Sequence, residues 1–299
     1  MSNIHVKKIV FYTIGHNGDI HYSKEFIKDI ITQIPNVDYE YRMQASAKLV
    51  KDIPRLLVKS FDLHHIYTNE VSYDETTHTL FINTWIGSSS SKYIPHETGC
   101  SLKANYDKYT DVYSTLGIPI KSIENYIPNI DWSFYDINEI NSFLKINDKK
   151  LYCLICNGNV LSGQSQNFDF TEIIKNLSNR FNDVGFILTN SSNKIHNSNI
   201  FYTDDIIKTV GGDLNEIGYL ATKCNLIVGR ASGPYCFCHN TAIMNDNSKT
   251  LVVFTNLKND GCWVSPDLIK DGAKQIWSNN FDLSSIYDII ETEIRKKYE

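Results

Sequence analysis

The sequence lacks the features that define several large classes of protein. No run approaches the ~20 apolar residues of a membrane-spanning helix, which argues against an integral membrane protein. The formal net charge is -5 and the sequence pI is near 6.0, without the basic stripe that nucleic-acid-binding proteins present. No GK[ST] tripeptide follows a glycine-rich loop, which excludes a Walker-type phosphate loop.

A cysteine framework is also missing, since the seven cysteines are odd in number and irregular in spacing. Cys153 and Cys156 lie in the apolar run LYCLIC, where strand alternation points their side chains to opposite faces. Cys236, Cys238 and His239 form CFCH, but a zinc site needs about four suitably spaced ligands. We therefore predict reduced, buried thiols, no metal site, no cofactor and a cytoplasmic location.

What the chain does contain is an alternation of strand-like and helix-like segments. Patterns typical of strands occur at Lys8–Ile14, Asp38–Met43, Thr79–Trp85, Leu151–Cys156, Val184–Leu188, Ile200–Tyr202, Leu226–Val228, Thr250–Phe254 and Gln275–Trp277. Helical spacing of apolar residues predicts helices over Ile20–Ile34, Ala45–Ser60, Asn105–Gly117, Phe170–Phe181, Leu214–Cys224 and Leu283–Lys297, the second of them broken or begun near Pro54. This alternation predicts an α/β protein with parallel sheets and helices on both faces of each sheet.

The polar, lysine-rich segment Asp131–Lys150 is the predicted interdomain linker. It divides the chain into an N-terminal Rossmann-like domain, 1–147, and a C-terminal one, 148–282, which we expect to face each other across a cleft. Ligands of such sheets bind outside the carboxyl ends of the strands. The loops to inspect are those that follow Phe11, Trp85, Cys156 and Val228.

The loop after Val228 belongs to the stretch LIVGRASGPYCF. Gly229 and Gly233 would let the backbone approach a ligand closely, and Ser232 could cap a following helix. Arg230 adds a cation whose donors match phosphate oxygens, so the loop is a candidate diphosphate site. The alternative is a plain strand-to-helix turn with a surface arginine.

Two further loops carry candidate ligand contacts. Asn157, Gly158 and Asn159 follow Cys156 and could reach phosphate or ribose, but they also fit a surface loop with Asx turns. Trp85 ends a strand and opens the glycine-serine loop WIGSSSS, where an aromatic ring could hold a sugar or a base. A tryptophan in the hydrophobic core is the alternative.

The first loop, TIGHNGDIHYS, is unusually rich in glycine and ionisable residues. Two glycines flank His16 and Asn17, and Asp19 begins the helix. An aspartate at a helix start is ordinarily a capping residue. The functional alternative makes Asp19 a general base that takes a proton from an acceptor hydroxyl. His16 and His21 are the other titratable candidates.

Two motifs together resemble bacterial heptosyltransferases. FYTIGHNGDIHYSKEFIKDI resembles that family's strand, glycine, GD and helix opening. EIGYLATKCNLIVGRASGPYCF, at 216–237, is similar to the family pattern ELAYL…ADLVVGxxSGP. These enzymes are glycosyltransferases of the GT-B class, with two facing Rossmann-like domains. The order of elements agrees over most of the chain, and residue identity is confined to the two motifs.

The resemblance implies a nucleotide-sugar donor held by the C-terminal domain and an inverting transfer that needs no metal. It implies that Asp19 is the base and that Gly229, Ser232 and Gly233 hold the donor diphosphate. It also implies that the last helix, 283–299, packs back toward the N-terminal domain.

The chain departs from the family pattern at two places. The family has a histidine soon after the Gly-Pro pair, whereas this chain has Tyr235 and Cys236, with His239 further on. The loop residues 162–169 contain no basic residue, so Arg230 would have to supply the positive charge. Both departures concern the donor, so the resemblance does not extend to heptose as the donor sugar.

The sequence thus predicts a glycosyltransferase that moves a sugar from a nucleotide-sugar to a hydroxyl of a glycan or other acceptor. Donor contacts are predicted at Asn157, Gly158, Gly229, Arg230, Ser232 and Gly233, and acceptor contacts at His16, Asn17, His21 and Trp85. No nucleic-acid partner is expected, and peripheral membrane contact stays open. The alternatives are a nucleotide-sugar epimerase or hydrolase, and a catalytically silent sugar- or nucleotide-binding protein.

Overall fold

The computed structural model describes residues 5–14, 16–61, 70–85, 101–161, 163–256 and 269–298. The chain divides into two compact units, Met1–Asn129 and Ile130–Glu299. The division lies just before the predicted linker, and the domain boundaries at 147 and 282 stay predictions. Among the described residues, no helix has the length and apolar character that would let it cross a bilayer.

The first unit contains a five-stranded sheet within the described residues. Its strands are β1 (Lys8–Thr13), β2 (Asp38–Met43), β3 (Leu56–Ser60), β4 (Val71–Asp74) and β5 (Thr79–Asn83). Their order is β3-β2-β1-β5-β4, and only the β4–β5 pair among these is antiparallel. Every residue of β5 and nearly every residue of β1 is buried, which explains their continuous apolar character.

Two long helices, α1 (Asn17–Gln33) and α2 (Ser101–Leu116), pack together in this unit. The Phe26 ring of α1 lies between the rings of Tyr109 and Tyr126, with centroids 4.4 and 4.1 Å away. Both pairs are within 7° of parallel. Stacked aromatic rings therefore fix the position of α1 against α2 and the short 3₁₀ helix Ile123–Tyr126.

The helix predicted over Ala45–Ser60 is wrong. The chain forms only a 3₁₀ turn at Ala47–Val50 and then enters β3, which pairs with β2 in the sheet. Arg55 has φ 61°, a left-handed conformation that a continuing helix cannot include, and it directly follows Pro54. Backbone pairing at the sheet edge thus overrides the helical spacing. Strand β4 was not predicted at all.

The second unit contains a six-stranded, wholly parallel sheet within the described residues. Its strands are β6 (Leu151–Cys156), β7 (Val184–Leu188), β8 (Ile200–Tyr202), β9 (Leu226–Arg230), β10 (Thr250–Phe254) and β11 (Lys274–Ser278), in the order β11-β10-β9-β6-β7-β8. Its helices are α3 (Asn138–Ile146), α4 (Thr171–Arg180), α5 (Thr203–Ile206), α6 (Leu214–Thr222), α7 (Gly233–Phe237), α8 (Thr241–Met244) and α9 (Leu283–Tyr298).

Helix α3 lies inside the segment predicted as a linker. The Tyr219 hydroxyl donates to the Asn141 side-chain oxygen at 2.9 Å. The ring of Phe143 packs edge-on against Phe201, with centroids 4.9 Å apart. These contacts join α3 to α6 and β8, so α3 belongs to the second unit.

Helices α4 and α9 cover one face of the second sheet. Ile286, Ile290 and Ile294 of α9 are fully buried in a core that includes residues of α4 and of β6, β7, β9 and β10. The last helix is therefore part of the core of its own unit, and its predicted approach to the N-terminal domain stays a prediction. Two α/β units with predominantly parallel sheets confirm the predicted fold class.

The stacked position of Phe26 makes it a sensitive probe of the first unit. We expect Phe26→Ala to lower the free energy of unfolding by about 3–5 kcal/mol, because a fully buried ring is replaced by a cavity. Phe134→Ala is the matched control, because that ring is 51% exposed. Denaturant unfolding followed by circular dichroism measures both, and equal losses would contradict the packing role.

Candidate functional site

Each sheet has one point at which the direction of strand addition reverses. In the first unit β1 to β3 extend to one side of β1, and β5 lies on the other side. In the second unit β6 to β8 extend to one side, and β9 pairs with the other side of β6. Parallel sheets bind ligands outside the carboxyl ends of the strands at such switch points. The loops after β1, β6 and β9, which the sequence singled out, lie at these two points.

At the first switch point, Asp19 occupies the third position of α1 and His16 is the N-cap. The Asp19 carboxylate accepts a hydrogen bond from the His16 backbone N–H at 3.3 Å, one half of a capping box. Asp19 is half-buried, and His16 is exposed. The capping role is thus present, although from within the helix rather than from the N-cap.

The residues predicted to contact the acceptor differ in how exposed they are. Asn17 is half-buried at the start of α1, and Trp85 is half-buried two residues after β5. The Trp85 backbone N–H is held by the side-chain oxygen of Asn83 at 2.9 Å. His21 is fully buried, so the structure places its ring in the core rather than on the surface. Gly15 and the serines at 88–91 lie outside the described residues.

Other polar groups at this edge were not predicted. The Tyr41 hydroxyl lies 2.7 Å from the Thr84 hydroxyl, and the Thr84 backbone N–H donates to the Tyr12 carbonyl at 2.8 Å. Lys108 of α2 is buried, with its Nζ 2.8 Å from a carboxylate oxygen of Glu70. The spacing of the sequence indicates that Lys108 is buried, because it lies four residues before Val112 on the apolar side of α2.

At the second switch point, Asn157 joins the loops after β6 and β7. Its side-chain amide donates to the Asn190 carbonyl at 3.1 Å and accepts the Asn190 N–H at 2.8 Å. A depression of about 270 Å³ lies beside this pair, lined also by Asn159, Phe168 and Arg230. The Asn157 amide therefore shapes the wall of the depression.

Arg230 is the last residue of β9, and only 2% of it is exposed. Its guanidinium donates to the Phe168 carbonyl at 2.9 Å and to the Asn157 carbonyl. It also lies over the rings of Phe168 and Phe170, 5.3 and 5.5 Å from their centroids. Burial lowers the pKa of Arg230, and the Asp169 carboxylate opposes that shift. The arginine thus joins the end of β9 to both ends of the connection between β6 and α4, and because it is buried the surface-arginine alternative is wrong.

Gly229 and Gly158, at the ends of β9 and β6, differ in how strictly the structure requires a glycine. A Cβ at Gly229 would lie 2.6 Å from the Cys156 Cβ, so this glycine is required where β9 pairs with β6. Gly158 has nothing within 4 Å of such an atom. Ser232 is the N-cap of α7, which begins at Gly233, but its side chain makes no capping bond. Its hydroxyl is buried and finds no hydrogen-bond partner among the described residues.

The residues that follow this loop are buried. Cys236, Cys238, Cys153 and Cys156 are free, buried thiols, as predicted. His239 is fully buried, and burial lowers its pKa to about 3, so its ring is neutral at physiological pH. His239 therefore does not supply the positive charge that is missing from residues 162–169, which contain no basic residue. In the part of the chain that the structure describes, no group of three or more His, Cys, Asp or Glu side chains could hold a metal ion.

Solved structures share this fold. A glycosyltransferase family 9 protein of Veillonella parvula has a TM-score of 0.54 at 13% identity, over 97% of this chain and 90% of its own. E. coli heptosyltransferase WaaC with ADP has a TM-score of 0.53 at 8% identity, over 97% and 99%. S. aureus MnaA, in a co-structure with UDP, has a TM-score of 0.51 at 11% identity, over 98% and 90%.

The chain has the fold of these three proteins. This likeness confirms the resemblance at the level of the fold, and the roles of individual residues stay predictions. No protein-family model matches the sequence, and no curated protein matches it either.

The contrast between Gly229 and Gly158 can be tested. We expect Gly229→Ala to lower the free energy of unfolding by about 1–3 kcal/mol, because the added methyl group overlaps Cys156 in the sheet. Gly158→Ala is the matched control, with open space around the added atom. Thermal and denaturant unfolding compare the two variants. Equal effects would contradict the tight approach of β9 to β6.

Burial of His239 predicts a pH dependence of stability. Its folded pKa of about 3 lies below the ordinary value of 6.5, so the unfolded chain binds a proton that the folded chain does not. Stability from this residue is complete above pH 6.5 and falls by about 1.4 kcal/mol per pH unit toward pH 3. We expect His239→Gln to remove that slope between pH 4 and 6 in denaturant titrations. His196→Gln is the control, because His196 is exposed, and an unchanged slope in His239→Gln would contradict the assignment.

Proposed function

We propose that this protein is a glycosyltransferase that moves a sugar from a nucleotide-sugar donor to a hydroxyl of a glycan or other acceptor. The transfer is inverting and needs no metal. The observation that carries the proposal is the coincidence of the two sequence motifs with the two topological switch points. Similar folds bind ADP in WaaC and UDP in MnaA, which supports a nucleotide donor.

On the acceptor side, Asp19 is the proposed general base. Its carboxylate is fixed by the His16 backbone N–H and lies at the end of β1. Asp19 takes the proton of the acceptor hydroxyl as its oxygen bonds to the anomeric carbon of the donor. At the same time the bond from that carbon to the diphosphate breaks. His16, Asn17 and Trp85 are the proposed acceptor contacts, and the buried ring of His21 supports the loop from within.

On the donor side, the leaving diphosphate must be stabilised by polar groups and positive charge. Ser232 offers a hydroxyl without a partner among the described residues, next to the backbone of Gly233. Arg230 contributes its charge from below, and with Asn157 it fixes the loops at the carboxyl ends of β6 and β9. Gly229 and Gly158 keep these strand ends free of side chains.

The base role of Asp19 predicts the behaviour of one substitution. We expect Asp19→Asn to lower kcat by about 10²- to 10⁴-fold, the usual contribution of a general base. Donor affinity should change little, because the donor is bound by the second unit. Release of nucleoside diphosphate with acceptor present measures kcat, and calorimetry measures donor affinity.

Asp136→Asn is the matched control, because Asp136 accepts the Asn138 backbone N–H at 3.4 Å near the start of α3. It makes the same loss of charge at a comparable backbone contact outside both loops, while the asparagine oxygen can still accept the N–H in both variants. Turnover in Asp19→Asn within a few fold of the unsubstituted protein would contradict the base assignment.

The first experiment is to identify the donor by thermal-shift screening of ADP, UDP, GDP and their sugars. Ligands that bind the folded state raise the melting temperature by mass action. Consumption of a binding nucleotide-sugar without any acceptor would favour an epimerase or hydrolase over a transferase. Binding without turnover across a panel of acceptors would favour a silent binding protein.

A further inference from the structure

One buried carboxylate in the first unit is surrounded by three cations. Glu40 of β2 is 1% exposed. Its carboxylate oxygens lie 2.6 Å from the Lys8 Nζ, 2.5 Å from the Arg42 Nε and 2.9 Å from the Lys59 Nζ. Burial raises the pKa of Glu40, but hydrogen bonds from the three cations outweigh burial and lower this pKa to about 2. One cation would compensate the ionised carboxylate, so the cluster has positive charge in excess.

The excess is concentrated toward the carboxyl ends of β2 and β3. Arg42 and Lys59 are register partners there, and neither has an acidic partner besides Glu40 in the part of the chain that the structure describes. Asp38 is on the same strand, but it pairs in register with Lys8 at the amino end. The segment 42–60 contains five basic residues and one acidic residue, although the net charge of the whole chain is -5. This end of the sheet is therefore locally basic.

The two cations at the carboxyl end have hydrogen-bond donors to spare. Arg42 donates to Glu40 through its Nε, and its two Nη atoms have no hydrogen-bond partner among the described residues. Its guanidinium lies over the Phe81 ring, 5.7 Å from the centroid, which fixes its plane. The Lys59 side chain is 51% exposed, and its ammonium has three donors, of which Glu40 accepts one. A guanidinium fork beside an ammonium group suits a carboxylate or a phosphate.

A cavity of about 420 Å³ lies at the same end of these strands. Among the described residues that line it, Lys59 has the only charged side chain. Apolar side chains, including Met43, Val58 and Phe61, form most of the remaining wall, and Gln44 adds an amide. A mostly apolar wall with a few polar groups is typical of sites for small organic ligands.

The cavity lies on the side of the first unit that the proposed function assigns to the acceptor. Strands β2 and β3 follow one another on one side of β1, and the loop after β1 leads to Asp19. The Phe61 ring stacks against Tyr12 near the end of β1, with centroids 6.1 Å apart. Two interstrand spacings, about 10 Å in all, separate β3 from β1. The cavity and the loop after β1 are thus within reach of one acceptor molecule.

We propose that this cavity binds an anionic sugar of the acceptor, with its carboxylate or phosphate group on Arg42 and Lys59 and its ring against Phe61. The inference rests on the proposed function in taking the ligand to be the acceptor, and it goes further in giving the acceptor a negative charge. Such a charge is favoured because it replaces repulsion between two cations with attraction to both. Glu40 holds the two cations in place and does not contact the ligand.

The methionines make the cavity observable by NMR. The chain has three, of which Met43 lines the cavity and Met244 is buried in α8 of the second unit. The methionine methyl groups are labelled with carbon-13, and the Met43 signal is assigned by its loss in Met43→Leu. We expect glucuronate or glucose 6-phosphate to shift the Met43 signal saturably and to leave Met244 unchanged, and glucose to cause no comparable shift. The acid that binds more tightly identifies the anionic group.

Two substitutions change the charge of the cavity without removing its apolar wall. We expect Lys59→Gln to weaken binding of the acidic sugar about tenfold or more, the contribution of one charge-assisted hydrogen bond. Glu40 keeps two other cations in this variant, so the fold should persist. Gln44→Glu places a carboxylate at the cavity and should weaken binding by repulsion. Lys7→Gln is the control, because it makes the same loss of charge at an exposed residue before β1.

The outcomes separate this inference from the proposed function. The inference would be overturned if neither acidic sugar shifted Met43 saturably, or if Lys59→Gln and Gln44→Glu bound as tightly as Lys7→Gln. Inorganic phosphate that binds as tightly as glucose 6-phosphate would indicate a site for a bare ion and overturn the part that concerns the sugar.

An acidic sugar that binds should also inhibit transfer in competition with the acceptor. Binding without such inhibition would overturn the acceptor role of the cavity. Binding to a protein that shows no transfer with any donor or acceptor would instead count against the proposed function and leave the anionic-sugar site in place.

Discussion

The candidate loops of each unit depend on one parallel strand pairing within that unit, β1 with β5 in the first and β6 with β9 in the second. At each place the direction of strand addition reverses, because the neighbour on the other side of β1 or of β6 comes later in the chain than the strands on the first side. The pairing of β6 with β9 also requires a glycine at 229. A Cβ there would lie 2.6 Å from the Cys156 Cβ and would push β9 away from β6.

The fold could be predicted where a strand is buried on both faces, because its sequence is then apolar throughout. Strands β1, β6, β7 and β10 are of this kind, and their predicted positions agree with the structure. Strand β3 lies at the sheet edge and is half exposed, so its residues carry no such pattern and the spacing suggested a helix. Helix α3 was missed for a related reason, since it buries only Ile140 fully amid polar residues.

The site could be predicted only as far as loops and residue types. Asp19 and Ser232 were singled out because glycine, serine and aspartate at strand ends are local signals, and their roles stay predictions. What Arg230 does depends on the carbonyls of Phe168 and Asn157, which are remote in sequence. Lys108 with Glu70 is a pair of the same kind, separated by a long stretch of chain. A single sequence does not reveal such pairs, because the residues next to each partner in the sequence do not indicate which distant residue it contacts.

Each unit buries a cation, and the two cations are held differently. The Arg230 guanidinium donates to two backbone carbonyls and lies over two aromatic rings, whereas the Lys108 Nζ lies 2.8 Å from a carboxylate oxygen of Glu70. Neutral carbonyls fix the direction of the guanidinium without offsetting its charge, although the Asp169 carboxylate also acts on it. The Glu70 carboxylate offsets the lysine charge directly, so removing either partner would leave the other as a poorly solvated, uncompensated charge.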